Sequence, residues 1–90
     1  MASSTTEYEI IFARTARKEL ELLDNNFIRR ILRKIESLVT NPRPAGCEKL
    51  KGHENLWRVR VGDYRIVYSI FDDKKIIDIS IVRHRKDAYR

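Results

Sequence analysis

Basic side chains alternate with apolar ones over residues 57–65, which read WRVRVGDYR. Successive side chains of a β-strand point to opposite faces of its sheet. Trp57, Val59 and Val61 can therefore pack inward while Arg58 and Arg60 stand together on the outer side. Guanidinium groups bind phosphate through two parallel hydrogen bonds, which lysine cannot match. The pattern predicts a site for a phosphate-bearing ligand.

A second group of chemically useful residues follows near the C-terminus, at positions 83–89, which read RHRKDAY. The imidazole of His84 can exchange a proton near neutral pH, and the ring of Tyr89 can stack on an exposed base. Arginines placed beforehand around a phosphate stabilise the charge of a phosphoryl transition state. These groups suit RNA cleavage by attack of a 2′-hydroxyl on the adjacent phosphate. No cluster of Asp, Glu and His indicates a metal site, and no cofactor is expected.

Strand parity predicts which of these residues meet. Strands are expected over 57–61, 64–71 and 75–83, with hairpin turns at 62–63 and 72–74. If the isoleucines of the last two strands face the core, the uncovered face carries Arg58, Arg60, Arg65 and His84. The same alternation puts Arg83 and Arg85 on the opposite face of the sheet, unless the last strand ends near residue 82.

The remaining elements form a scaffold for that face. Residues 8–12 read as a short strand, a helical pattern begins at residue 15, and a stronger amphipathic helix covers 27–39. Asn41 and Pro42 end the second helix, because proline disfavours helical geometry in the residue before it. Residues 42–56 are expected to be a loop. A helix hairpin packed on one face of an antiparallel sheet gives an α+β fold.

Size and composition limit the possible functions. The 90 residues form one domain, expected over 7–90, with a frayed tail at 1–6. The net charge of +6 favours acidic partners such as nucleic acid or an acidic protein. A single cysteine, Cys47, excludes an internal disulfide. No apolar run is long enough for a membrane span and no signal peptide is recognisable, so a cytoplasmic protein without membrane partners is expected.

Simpler interpretations of the same residues remain open. Arginines on an exposed strand face, and a histidine such as His84, are often merely solvated. Lys49 and Lys51 can form a basic rim or only solubilise the loop. The basic cluster at 29–34 is most simply a polar helix face, although it could also meet an acidic partner.

At these residues the sequence resembles the RelE/ParE superfamily of bacterial and archaeal toxins, and most closely its RelE-type branch. The resemblance extends from Tyr8 to Tyr89. It is carried by NPRP at 41–44, KLKG at 49–52, WRVRVGDYRIVY at 57–68 and VRHRKDAY at 82–89. It implies a RelE-like microbial RNase fold and a type II toxin that enters the ribosomal A site, contacts rRNA and cuts mRNA without a metal. A cognate antitoxin, bound in a hetero-oligomer, would neutralise it.

The resemblance also implies roles for individual residues. Arg58 and Arg60 match a basic pair implicated in phosphate binding and proton transfer, and Arg65 matches an arginine that stabilises the transition state. Arg85 matches a basic residue near the leaving group, and Tyr89 one that stacks on the substrate base. Arginine is a poor general base, which shifts the proton-transfer role towards His84. The remaining expected RNA-binding residues are Lys49, Lys51, Arg83 and Lys86.

Three functions compete at this point. The first is a ribosome-dependent mRNA endonuclease, favoured by the arginines, His84 and Tyr89. The second is an inhibitor of DNA gyrase without nuclease activity, as in the ParE branch, which needs no acid or base. The third is a basic binding module without enzymatic activity.

Overall fold

Two helices pack on one face of a five-stranded sheet in this computed structural model, which describes residues 7–84. The elements are β1 (Glu9–Phe12), α1 (Arg14–Glu21), α2 (Asn25–Ser37), β2 (Glu48–Lys49), β3 (Trp57–Val61), β4 (Tyr64–Phe71) and β5 (Ile76–His84). The predicted α+β class is confirmed. The expected tail at 1–6 lies outside the described residues.

The sheet is mixed, with the strand order β1-β5-β4-β3-β2. Strands β2 to β5 pair antiparallel with their neighbours, as expected for strands joined by short turns. The first strand differs from the expected antiparallel sheet, because β1 lies parallel to β5 at the other edge. The two-residue strand β2 lies within the segment expected to be a loop, and it is too short to show any alternation.

The core lies between the helices and one face of the sheet. Apolar residues at helical spacing are buried against that face: Ala16 and Leu20 on α1, Ile31 and Ile35 on α2, and Leu38 immediately after α2. The sheet contributes Val59, Ile66, Tyr68, Ile70, Ile77, Ile79 and Val82. Tyr68 is fully buried, and its hydroxyl donates a 2.7 Å hydrogen bond to the carbonyl of Pro42. The other face of the sheet is left uncovered by helices.

A β-bulge in β5 changes which side chains share a face. Val67 of β4 lies opposite Ile81, but the next residue, Tyr68, lies opposite Ile79, so Ser80 is an extra residue without a partner on β4. One inserted residue reverses the alternation of everything beyond it. The face of each side chain after Ser80 is therefore opposite to that predicted from simple alternation.

Neither helix within residues 7–84 has the length and apolar character needed to cross a membrane.

Candidate functional site

A cleft of about 400 Å³ lies on the face of the sheet opposite the helices. Three arginines, a histidine and four aliphatic residues line it. The lining residues are Leu50, His53, Leu56, Arg58, Arg65, Val67, Ile81 and Arg83. The cleft is thus formed by strands β3, β4 and β5 together with the loop that precedes β3.

Like charges lie side by side across the three strands. Arg60 of β3 is directly opposite Arg65 of β4, which is directly opposite Arg83 of β5. Like charges in directly opposed positions destabilise a sheet. The central residue, Arg65, is only 9% exposed, so neighbouring residues restrict its guanidinium. Such an arrangement is typical of a site that binds an anion rather than of a surface selected for stability.

Arg58 lines the cleft two residues before Arg60 on β3 and forms an ion pair with Glu48 of β2. Its side chain is 17% exposed, whereas that of Glu48 is 63% exposed. The carboxylate therefore holds the guanidinium from the solvent side. An incoming phosphate could displace Glu48 without disturbing the core.

Arg83 is held from the other edge of the sheet. Its Nε donates to Oε2 of Glu19 on α1, and Oε1 of the same carboxylate accepts a 2.9 Å hydrogen bond from the backbone N–H of Val82. β1 pairs with β5 only as far as Ile79. Beyond that residue, Glu19 accepts the hydrogen bond from the edge of β5. Glu19 was not predicted from the sequence, since a glutamate on a helix surface is unremarkable there.

A short loop, residues 50–56, covers one side of the cleft. The N–H of Leu50 donates to the carbonyl of Leu56 at 2.8 Å and closes the loop. Asn55 joins it to β4, because its amide donates to the carbonyl of Ile70 at 2.8 Å and accepts from the Ile70 N–H at 3.2 Å. Gly52 turns the chain with φ of +81°, a conformation that other residues rarely adopt. The loop thereby carries His53 to the cleft.

The structure contradicts the predicted placement of His84 and Arg83. The bulge at Ser80 puts His84 opposite Tyr64, on the face that packs against the helices, and the two rings meet edge to face with centroids 5.2 Å apart. His84 lines a different cavity, of about 510 Å³, with Glu19 of α1, and Arg83 lines both this cavity and the cleft. Arg83, predicted to have the wrong parity, lies opposite Arg65 and lines the cleft. The prediction that His84 shares the uncovered face is therefore wrong.

Arg60 belongs to the row of arginines by register but does not line the cleft. It is exposed near the edge of the sheet and lines a groove of about 420 Å³ with Arg30, Arg33 and Lys34 of α2. The sequence left two interpretations of the basic cluster at 29–34, a polar helix face or a surface for an acidic partner. In the structure, Arg60 of β3 lies beside this cluster.

The remaining predicted residues lie apart from the cleft or outside the described part of the chain. Lys49 and Lys51 are exposed, and the ammonium group of Lys49 lies 6.0 Å from the ring centroid of Trp57. Arg85, Lys86 and Tyr89 lie outside the described residues. Between residues 7 and 84, no group of three or more His, Cys, Asp or Glu residues is arranged to hold a metal ion.

The cleft can bind a phosphate and stabilise added negative charge on it. Three arginines line it beside four aliphatic side chains, and hydrogen bonds to an anion are stronger in such surroundings than in water. Sequence reasoning found Arg58 and Arg65 and missed His53. The only sequence signal for His53 is its position in a loop five residues before Arg58, with Leu50 and Leu56 three residues away on either side.

Comparisons with known proteins agree with this fold. A family model described as the ParE toxin of the type II toxin–antitoxin system, parDE, matches residues 10–89. Toxin RelE3 of Methanocaldococcus jannaschii is 34% identical over 85 residues, which cover 90% of this chain and 94% of that protein. In the solved archaeal RelE–RelB complex from Pyrococcus horikoshii OT3, the matched chain is 31% identical with a TM-score of 0.78, covering 88% of this chain and 96% of its own. A chain of the toxin–antitoxin complex RelBE2 from Mycobacterium tuberculosis is 27% identical with a TM-score of 0.76, covering 88% of this chain and 99% of its own.

Proposed function

The chain belongs to the ParE toxin family, within the RelE/ParE superfamily of type II toxin–antitoxin systems, and from this premise we propose that it is an endoribonuclease that cleaves mRNA in the ribosomal A site. The observation that carries the proposal is the cleft lined by Arg58, Arg65 and Arg83. A toxin that acts only by binding another protein has no evident need for an arginine as deeply set as Arg65.

The proposed reaction is attack of a ribose 2′-hydroxyl on the adjacent phosphate. The 2′-oxygen bonds to phosphorus and loses its proton, the bond from phosphorus to the 5′-oxygen breaks, and that oxygen takes up a proton. Arg65 stabilises the charge that gathers on the non-bridging oxygens, while Arg58 and Arg83 hold the phosphate. The scheme requires no metal. The family resemblance adds Arg85 near the leaving oxygen and Tyr89 on the base.

The remaining basic residues are proposed to hold RNA outside the cleft. Lys49 and Lys51 border the loop beside it, Arg60 lies in the row of arginines at the sheet edge, and Lys86 follows in sequence. Contacts of this kind with phosphates strengthen binding without reading the base sequence.

A cognate antitoxin is the proposed protein partner. The matched chains from Pyrococcus horikoshii OT3 and Mycobacterium tuberculosis were solved as toxin–antitoxin complexes. The net charge of +6 favours an antitoxin segment rich in acidic side chains, with apolar residues between them. The proposed site of action, the translating ribosome, is cytoplasmic.

Primer extension on an mRNA under translation tests the proposed reaction. Arg65→Ala and Arg65→Lys are expected to lower the cleavage rate about 100-fold, the usual effect of removing a group that stabilises the transition-state charge. The lysine variant keeps the positive charge and the volume of the site but loses the planar fork. Circular dichroism shows whether each variant is folded, and Arg29→Ala on the exposed surface of α2 serves as the control. Unchanged cleavage by a folded Arg65 variant would exclude the proposed role.

Inhibition of DNA gyrase is the second candidate, favoured by the match to the ParE family model. A supercoiling assay separates the two functions. Inhibition of supercoiling by the purified protein, with translated mRNA left intact, would replace the nuclease proposal with this one.

A further inference from the structure

The chain has two histidines, and the fold places them in different cavities. His53 lines the cleft with the three arginines, whereas His84 lies against Tyr64 on the face that carries the helices. The residue that could transfer a proton in the cleft is therefore not the one that sequence parity indicates. We propose that His53 is a further catalytic residue, which accepts the proton of the attacking 2′-hydroxyl. This inference rests on the proposed nuclease function.

Elimination among the lining residues supports this assignment. The cleft is lined by four aliphatic side chains, three arginines and His53. Arginine stays protonated at any physiological pH and cannot serve as a base, and the aliphatic residues have no proton to exchange. Among the described residues that line the cleft, His53 is the one whose side chain can both accept and donate a proton.

The loop that carries His53 is held at both ends. The hydrogen bond between Leu50 and Leu56 closes it, and Asn55 makes two hydrogen bonds with the backbone of Ile70. Asn55 also accepts from the indole N–H of Trp57 at 3.3 Å. The aliphatic side chains of Leu50 and Leu56 line the same cleft, so the loop rests on the floor of the site. An exposed histidine on such a loop has a defined position and access to substrate.

The charged groups around His53 are mostly cationic. Arg58, Arg65 and Arg83 face it from β3, β4 and β5, and Lys51 and Glu54 flank it on its own loop. Glu48 of β2 is turned to Arg58. The arginines are suited to hold the phosphate, and the imidazole nitrogen supplies the acceptor that the 2′-hydroxyl proton needs. In the step proposed, the 2′-oxygen bonds to phosphorus as its proton passes to the imidazole, and the departing 5′-oxygen takes a proton from water.

Single-turnover cleavage of ribosome-bound mRNA, measured across the pH range, tests His53→Gln against His84→Gln. The two variants make the same chemical change in the two cavities. His53→Gln is expected to lower the rate about 100-fold, within the usual range for general acid–base catalysis, and to remove the fall in rate on the acid side of the pH profile. His84→Gln is expected to keep both the rate and the profile. A structural role for His53 would lower the rate without changing the shape of the profile.

Rescue distinguishes lost chemistry from lost structure. Added imidazole is expected to restore part of the rate of His53→Ala and to leave Arg65→Lys unaffected. If the wild type cleaves mRNA and His53→Gln has the same pH profile, the role assigned to His53 is wrong. The same holds if His84→Gln loses the fall in rate at acid pH. Either result would leave the proposed nuclease function standing. Absence of cleavage by the wild type, with translated mRNA and ribosomes present, would overturn the proposed function and this assignment with it.

Discussion

Two arginines of the cleft are held by carboxylates before any ligand binds. Arg58 pairs with Glu48, and Arg83 pairs with Glu19. The two carboxylates differ in burial, because the side chain of Glu48 is 63% exposed and that of Glu19 is 20% exposed. Glu48 can therefore leave its arginine when a phosphate arrives, whereas Glu19 is part of the fold. At the scale of single residues, the Arg58–Glu48 pair is expected to set the affinity for phosphate, and the Arg83–Glu19 pair to stabilise the fold.

Glu48→Gln is expected to tighten the binding of a short single-stranded RNA. The exposed ion pair competes with phosphate for Arg58, and pairs of this kind contribute up to about 1 kcal/mol, which corresponds to a roughly fivefold change in Kd at low salt. Fluorescence anisotropy at two salt concentrations measures it, and the gain should shrink at high salt. The control is Glu36→Gln at an exposed position of α2, which makes the same change in net charge on the other side of the sheet. Equal tightening by both variants would contradict a specific effect at Arg58.

At the scale of secondary structure, the bulge in β5 decides the composition of the cleft. It lies just beyond the point where β1 ends and Ala13 donates to the carbonyl of Ile79 at 2.8 Å. From there onward the edge of β5 meets α1, and Glu19 supplies an acceptor for the N–H of Val82. The same carboxylate binds Arg83, so one helix residue anchors both the backbone after the bulge and an arginine of the cleft.

Glu19→Ala is expected to lower the free energy of unfolding by about 1–3 kcal/mol, because the N–H of Val82 and the guanidinium of Arg83 lose their acceptor. Urea denaturation measures the change. A double-mutant cycle with Arg83→Ala should give a coupling energy of at least about 0.5 kcal/mol. The control is Glu21→Ala on the same helix, whose exposed ion pair with Arg17 is 3.8 Å long and should contribute little. Additive effects of Glu19→Ala and Arg83→Ala would show that the two residues do not interact.

At the scale of the whole molecule, a polar cluster joins three distant parts of the chain. Tyr8 precedes β1, Arg43 follows α2, and Asp72 lies in the turn between β4 and β5. The hydroxyl of Tyr8 donates to Asp72 at 2.7 Å, and Arg43 donates to both carboxylate oxygens at 2.9 and 3.4 Å. The guanidinium of Arg43 also lies 4.9 Å from the ring centroid of Trp57. The cluster closes the end of the sheet away from the row of arginines.

Acid should weaken this cluster. The hydrogen bond from Arg43, followed by that from Tyr8, lowers the pKa of Asp72 below its ordinary value of 3.8. A carboxyl group whose pKa is lower in the folded state stabilises the fold above its unfolded pKa, and this contribution is lost as the pH falls through the folded pKa. Asp72→Asn is therefore expected to lower stability at neutral pH and to flatten its decline below about pH 4.

Urea midpoints measured from neutral to acid pH test this expectation. Asp73→Asn changes the neighbouring residue of the same turn, which makes none of these hydrogen bonds, and should follow the wild type. If Asp72→Asn and Asp73→Asn gave parallel curves, Asp72 would have no specific part in the acid transition.

Much of the fold could be predicted because its signals are local. The bounds 57–61 and 64–71 match β3 and β4, since alternating side chains and a Gly-Asp turn specify a hairpin within a few residues. The stripe of apolar residues on α2 is equally local. β2 was missed because it consists of two residues that pair only through Arg58 and Trp57.

The sequence by itself determined the α+β class, the apolar stripes and the presence of Arg58 and Arg65 on one face of a hairpin, because each depends on periodicity over a few residues. Only the tertiary structure decided which residues join them. The bulge at Ser80 forms where β5 passes beyond β1 and meets Glu19 of α1, a contact between residues more than sixty positions apart. That contact brings Arg83 to the cleft and removes His84 from it. The position of His53 likewise depends on hydrogen bonds from Asn55 to a strand that follows it in the chain.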